Sequence, residues 1–319
     1  MNYFYKFVWS LGLLVLFTGC LQDTETELDR AIERDDAILA QYISNNNITA
    51  TRTQTGFYYS RETEHPDAYQ FENGDVVGIY FDIRTLDGQV VKRHMDEEKE
   101  PILFKLSNDG IWPIVIAYAA GLAREGEQFK VYSPSYLAFG NYGYQQMVLP
   151  NSNLVMEIKF AGKYSEEDLI EREDQMIQDY IAENDLEGFE KIEEGIYFRL
   201  VDQGDEEKAK SERGKNVTFD FKLFHLGESS PTMEGDGSGN RPTIRVGYEE
   251  YLNFLNIVLD DLYLDAEFEA IVPSFAAFDR SIQIIPFEIR EDLVNRGESV
   301  DMVRPYTPIF FEAKIRGIM

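Results

Sequence analysis

Residues 33–48, ERDDAILAQYISNNNI, return at 171–186 as EREDQMIQDYIAENDL. At one constant offset Arg34, Asp36, Tyr42, Ile43 and Asn46 recur as Arg172, Asp174, Tyr180, Ile181 and Asn184. Repetition over such a distance means one structural unit written twice. Both segments read as amphipathic helices. Leu28, Ile32, Leu39, Tyr42 and Ile43 share a face of the first, and Leu169, Ile170, Met176, Ile177, Tyr180 and Ile181 share a face of the second. Thr24…Glu27 and Ser165…Asp168 have the spacing of a capping box. The acidic residues read as the solvated face of each helix.

After each helix the period shortens to that of strands. The first copy continues GFYYSR (56–61), DVVGIYFDIRTLDG (75–88), EQFKVYSP (127–134) and NLVMEIKF (153–160). The second continues GIYFRLV (195–201), NVTFDFKLF (216–224), EFEAIVP (267–273) and PIFFEAKI (308–315). β-Branched and aromatic residues bounded by Gly, Pro and Asn are strand signals. A short helical stretch follows the second strand of each copy, PIVIAYAAGLA (113–123) and YEEYLNFLNIVL (248–259), with Pro113 suited to a first helical turn. The order predicts an α+β unit with an antiparallel sheet around one helix. Two loops depart from plain duplication. Residues 225–243, rich in Gly, Ser and Pro, read as a mobile loop. Asp236, Ser238 and Asn240 alternate there like calcium ligands, but no glutamate stands at the twelfth position, and a bare loop is the preferred reading. Residues 279–304 are long for an unstructured loop and predict a helix of their own or contact with a partner.

Composition narrows the function. Of 319 residues 58 are acidic and 30 basic, a formal charge of −28, while 44% are hydrophobic. That apolar share supports packed cores and excludes wholesale disorder. Acidity without a basic stripe argues against nucleic acid as a partner. Three scattered histidines and one cysteine exclude a disulfide framework and a Cys/His zinc site, and no metal or cofactor is expected. Residues 7–19, FVWSLGLLVLFTG, follow Lys6 and have the length of a signal-peptide core rather than a membrane span. The run ends in Phe17-Thr18-Gly19-Cys20, which resembles the lipobox of bacterial lipoproteins, with Phe17 in place of the usual Leu. The resemblance implies lipidation at Cys20 and a durable acyl anchor. The acidic tether behind Cys20 resembles the export signal of Bacteroidota surface lipoproteins, although a plain solvated tether fits equally, and the leaflet stays open.

The phrases GDVVGIYFDIRTLDG, GEQFKVYSPSYLAFG and VLPNSNLVMEIKF of the first copy resemble the FK506-binding-protein (FKBP) type of peptidyl-prolyl isomerase. Fainter echoes stand at the corresponding places of the second copy: GIYFRL, VPSFAAFD and RPYTPIFFEAKI. A leading helix before each domain also resembles FKBP-type lipoproteins of the Bacteroidota. The resemblance implies two FKBP-like domains, each an antiparallel sheet around a short helix and preceded by an amphipathic helix. The expected boundaries are a signal peptide at 1–19, a tether at 20–26, a helix at 27–47, a first domain at 48–164, a linker helix at 165–187, and a degenerate second domain with long insertions at 188–319.

The family reaction needs an apolar aromatic pocket rather than an acid, base or nucleophile. Rotation about a peptide bond costs ~18–20 kcal/mol because resonance separates charge, and an apolar pocket weakens that planar form. Carried over by resemblance, the pocket positions fall on Tyr80, Val91, Ile102, Ile116, Phe139 and Met156. Trp112 is the neighbour to which the floor position could slip. Only Tyr80 matches the family residue, and it reads equally as a half-buried sheet tyrosine. Lys92 stands where the family has a carboxylate, and Phe139 stands where a tyrosine hydroxyl holds the substrate carbonyl. In the second copy the tyrosine positions hold Phe221 and Phe278, and Asp279 replaces the turn glycine. The leading expectation is an outer-membrane, lipid-anchored protein that binds exported clients or an outer-membrane complex as an accessory or chaperone subunit, with weak or no isomerisation. The alternative is an active isomerase assisting exported proteins. A glycan-binding surface lipoprotein is a third reading, prompted by 19 tyrosines and 22 phenylalanines.

Overall fold

The computed structural model describes residues 26–248, 252–278 and 281–319. The leader, Cys20 and Asp279 lie outside the described residues. Two seven-stranded sheets carry the chain. In the first, Val76–Thr85 and Leu154–Tyr164 are the central pair, followed outward on one side by Gln128–Ser133 and Tyr58–Thr63. In the second, Asn216–His225, Ile309–Ile318, Glu267–Val272 and Tyr197–Asp202 repeat that order. All these pairings are antiparallel. The duplication extends to irregularities. The register slips between Gly78 and Ile79 and again between Thr218 and Phe219, and likewise between Arg61 and Thr63 and between Leu200 and Asp202.

Each sheet curls over one short helix, Val115–Ala120 or Asn253–Val258. Val115, Ile116, Ala119 and Ala120 are buried against the first sheet's inward residues, including Ile79, Phe81, Ile158 and Phe160. Phe254 and Val258 do the same among Phe219, Phe268 and Phe311. The first short helix begins at Val115, so Pro113 lies just before it rather than in its first turn.

The leading helix runs Glu27–Asn45 and the linker helix Glu166–Glu183. Ser165 and Asp168 form the expected capping box, but the first box is Thr26 with Asp29 rather than Thr24 with Glu27. In it the Asp29 amide donates to Thr26 Oγ1 at 3.1 Å, while the Thr26 amide donates to Asp29 Oδ2 at 2.9 Å. Residues 225–243 are not a bare loop. Met233–Gly235 and Thr243–Arg245 both pair with Asn216–His225. Gly235 permits this, because a Cβ there would lie 2.6 Å from the Phe221 ring.

Candidate functional site: an occupied hollow

Five of the six positions come together. Val91, Ile116, Phe139 and Met156 are buried in one apolar cluster under the first sheet, and Ile102 packs half-buried against it. Trp112 meets Phe139 edge to face, with ring centroids 5.1 Å apart at 86°, and meets Tyr142 in the same way at 5.4 Å. Tyr80 is not among them. Side chains alternate along a strand, and on Val76–Thr85 the inward set is Val77, Ile79, Phe81 and Ile83. Tyr80 belongs to the other face. Its hydroxyl donates to the Lys99 carbonyl at 2.8 Å and its ring stacks on His94. Burial, reinforced by Glu100, Glu97 and Asp96, raises its phenol above the ordinary range. The aromatic residue that does enter the hollow is Phe81, one position later. Apolar residues at every second position, Val77, Ile79, Phe81 and Ile83, are the signal that finds it.

The segment carrying Phe139 is fixed by the leading helix. Asp35 is fully buried, although its helix reads as acid-to-solvent. Its carboxylate accepts from the Ser135 amide at 2.8 Å and the Ser135 hydroxyl at 2.6 Å, and from Arg34 Nε at 2.7 Å. Ser135 opens the short turn Ser135–Leu137 that delivers Phe139. The second domain repeats the arrangement. Glu173 accepts from the Ser274 amide and hydroxyl, both at 2.6 Å, and Ser274 opens the turn leading to Phe278. Burial raises the Glu173 carboxyl, opposed by the two Ser274 hydrogen bonds. The next acid repeats too: Asp36 meets Arg52 and Tyr136, and Asp174 meets Lys191 and Tyr197.

The first hollow is filled by the chain itself. The insertion after the second domain's turn crosses to the first domain, where Gln283–Ile284 pairs in parallel with Ile111–Trp112. The Gln283 amide donates to Gly110 O at 3.0 Å and the Ile285 amide to Trp112 O at 2.9 Å. Ile284, Ile285, Ile289 and Leu293 are buried in the same apolar cluster as Phe139 and Met156. Polar contacts ring this plug. Lys92 pairs with Glu288 and sits 4.3 Å over the Phe287 ring. Tyr142 donates to Asp292 Oδ2 at 2.8 Å, and Arg296 donates to Gly143 O at 3.0 Å. The expected helix of the insertion is Arg290–Asn295.

The second domain's counterpart residues differ in setting. Phe221 stacks on Phe311 at 5.8 Å, and Phe278 is half-buried against the same core. None of the six carried-over positions lines the cavity of about 550 Å³ beside Phe57 and Tyr118 or that of about 320 Å³ on the charged face around Glu267, Glu312 and Lys314. Among the described residues no group of three or more His, Cys, Asp or Glu is placed to hold a metal ion, and no helix is long and apolar enough to cross a membrane.

A hollow roofed by a strand, backed by a short helix and closed by the turn bearing Phe139 coincides with a family signature. Residues 68–161 match the model of the FKBP-type peptidyl-prolyl cis-trans isomerase family. The fold is FKBP-like. Both domains share this topology, and the match falls within the first. Among curated proteins none matches the chain. The chain is similar to the structure of the three FKBP domains of wheat FKBP73, at 13% identity and a TM-score of 0.32, over 85% of this chain and 99% of that one. It is similar to a peptidyl-prolyl cis-trans isomerase of Pseudomonas syringae pv. tomato at 17% identity and 0.35, over 44% and 99%. It is also similar to FkpA of Escherichia coli at 21% identity and 0.35, over 42% and 62%.

Phe139 offers no hydroxyl, and Lys92, bound to Glu288, offers no carboxylate. What the arrangement does is hold an extended apolar segment.

Proposed function

We propose that this chain is a lipid-anchored tandem FKBP-like protein that binds other proteins, exported clients or an outer-membrane complex, as an accessory or chaperone subunit with weak or no prolyl isomerisation. What supports weak or no catalysis is that Ile284 and Ile285 are buried in the same apolar cluster as Val91, Ile116, Phe139 and Met156, the positions that the resemblance assigns to the pocket. The missing hydroxyl at Phe139 supports the same reading, since a lost hydrogen bond to a bound carbonyl costs ~0.5–1.5 kcal/mol. The anchor rests on the lipobox-like Phe17-Thr18-Gly19-Cys20.

A proline-limited peptide isomerisation assay on residues 21–319 tests the catalytic part. The expected rate is that of the uncatalysed peptide. A clear acceleration that disappears in Ile116→Ala would establish an active isomerase and overturn the proposal. Cys20→Ala tests the anchor: the full chain is expected in the membrane fraction and the variant in the soluble fraction, and equal partitioning rejects lipidation. Co-purification from detergent-solubilised membranes tests the partner, and reproducible recovery of the chain alone counts against a stable complex.

A further inference from the structure

The plug is built as a ligand rather than as a piece of the first domain's framework. It belongs to the second domain by connection and is closed on itself. Arg290 is 4% exposed and donates to the carbonyls of Ile282, Asp301 and Val303, tying the start of the insertion to its end. The exit is pinned to the second sheet, where the Arg304 amide donates to His225 Nε2 at 3.0 Å. The insertion therefore has its own internal support and presents one apolar side.

The first domain meets that side with a matching receptor. Backbone carbonyls of Gly110 and Trp112 take up a strand. An apolar floor receives Ile284 and Ile285. Lys92 stands at the rim for an acidic residue after an aromatic one, and Tyr142 for an acid one helical turn further on. Strand addition supplies general affinity, whereas the pockets and rim charges supply selectivity.

We propose that residues 282–296 are a resident ligand of the first domain, and that this hollow recognises in trans a protein segment of the same chemistry. Such a segment has two β-branched apolar residues, then proline, an aromatic residue and an acid, and leads into a short acidic helix. The proposal rests on the reading of the hollow as a binding rather than a catalytic site. Bound to its own segment, the hollow is closed to others.

A fluorescent peptide of residues 280–298 tests this by anisotropy. The unaltered chain should bind it weakly or not at all. A chain with 282–296 replaced by a Gly/Ser linker should bind it saturably, and a scrambled peptide should not bind. Lys92→Glu in that chain should weaken binding by about tenfold, and a peptide carrying Glu288→Lys should regain it. A second route keeps the full length: Ile285→Asp should loosen the plug, admit the peptide and expose 282–296 to limited proteolysis. A folded linker chain that ignores the peptide, or an unaltered chain that binds it equally well, overturns the proposal. So does failure of both variants to fold, because the segment would then be framework. Isomerase rate is a separate readout. Turnover with peptide binding rejects the proposed function alone, and no turnover without peptide binding rejects this inference alone.

Discussion

His225 shows how one side chain turns the second domain into a pH-dependent structure. Its ring is buried, Nδ1 meets Thr232 at 2.9 Å and Glu228 at 3.4 Å, and Nε2 accepts from the Arg304 amide. Burial, with the charges of Arg304 and Arg290 adding to it and Glu228 opposing, pushes the imidazole down to about 4 from 6.5. The unfolded chain therefore takes up a proton first as pH falls. The folded state loses stability from about pH 6.5 down to about 4, by roughly 3 kcal/mol in all, and regains nothing below. Urea denaturation of the full chain and of His225→Asn across pH 7 to 4 should show a shallower loss in the variant, and parallel profiles would reject the assignment. The same scale explains why Tyr80 misleads. A tyrosine in a strand phrase draws attention by its chemistry, but which face it occupies is decided by parity, and its odd-numbered neighbour Phe81 is the inward residue. Parity was legible in Val77, Ile79 and Ile83. The hydrogen bond that occupies Tyr80, to a carbonyl in a turn, was not.

The helix-to-turn latch is the element that recurs most faithfully. Leu39 and Ile177 are fully buried at equivalent places, and Asp35 and Glu173 stand one helical turn before them, each gripping the serine that opens the turn. The repeat was legible because the two helices share spacing, whereas the role of the acids was not. A helix rich in acid reads as solvated, and only the fold reveals that one of its carboxylates faces an amide and a hydroxyl. Asp35→Ala leaves the buried Ser135 hydroxyl without its acceptor, while the part-exposed Arg34 keeps its bond to Ser135 Oγ, and is expected to cost about 1–3 kcal/mol in chemical denaturation. Asp36→Ala, which loses only half-exposed contacts to Arg52 and Tyr136, should cost about 1 kcal/mol or less. Equal losses would mean that burial of Asp35 contributes nothing special. At Glu173 the sign of the pH effect is opposite to that of an ordinary paired carboxylate. Its raised carboxyl means the folded state holds the proton more tightly than the unfolded one, so stability falls as pH rises from the unfolded value through the folded one. Glu173→Gln should flatten that decline.

At the scale of the whole molecule, the plug ties the second domain to the first. The architecture of each sheet was readable from strand periods. The crossing was not, because residues 283–293 meet partners near 92, 112 and 142 and nothing local marks a stretch of chain with a distant destination. The length of the insertion gave only the expectation of a helix of its own or contact with a partner. The linker helix adds a second tie, since Arg172 bonds Glu100 of the first domain at 2.9 Å while its neighbour Glu173 grips the second. Four buried aliphatic side chains, at ~1.5–3 kcal/mol each, give the crossing a strength of the same order as the ~5–15 kcal/mol that holds an average domain together. Neither half should then unfold while the other stays native. Calorimetry of residues 21–319 is expected to give one transition whose van't Hoff and calorimetric enthalpies agree. Ile289→Ala should lower it by about 2–5 kcal/mol without splitting it. Ile285→Asp together with Ile289→Asp, which places two charges where the apolar cluster cannot solvate them, should release the plug and resolve two transitions. Two independent transitions in the unaltered chain would show that the crossing carries no coupling, and the resident segment would then be a passenger on the first domain rather than the part that joins it to the second.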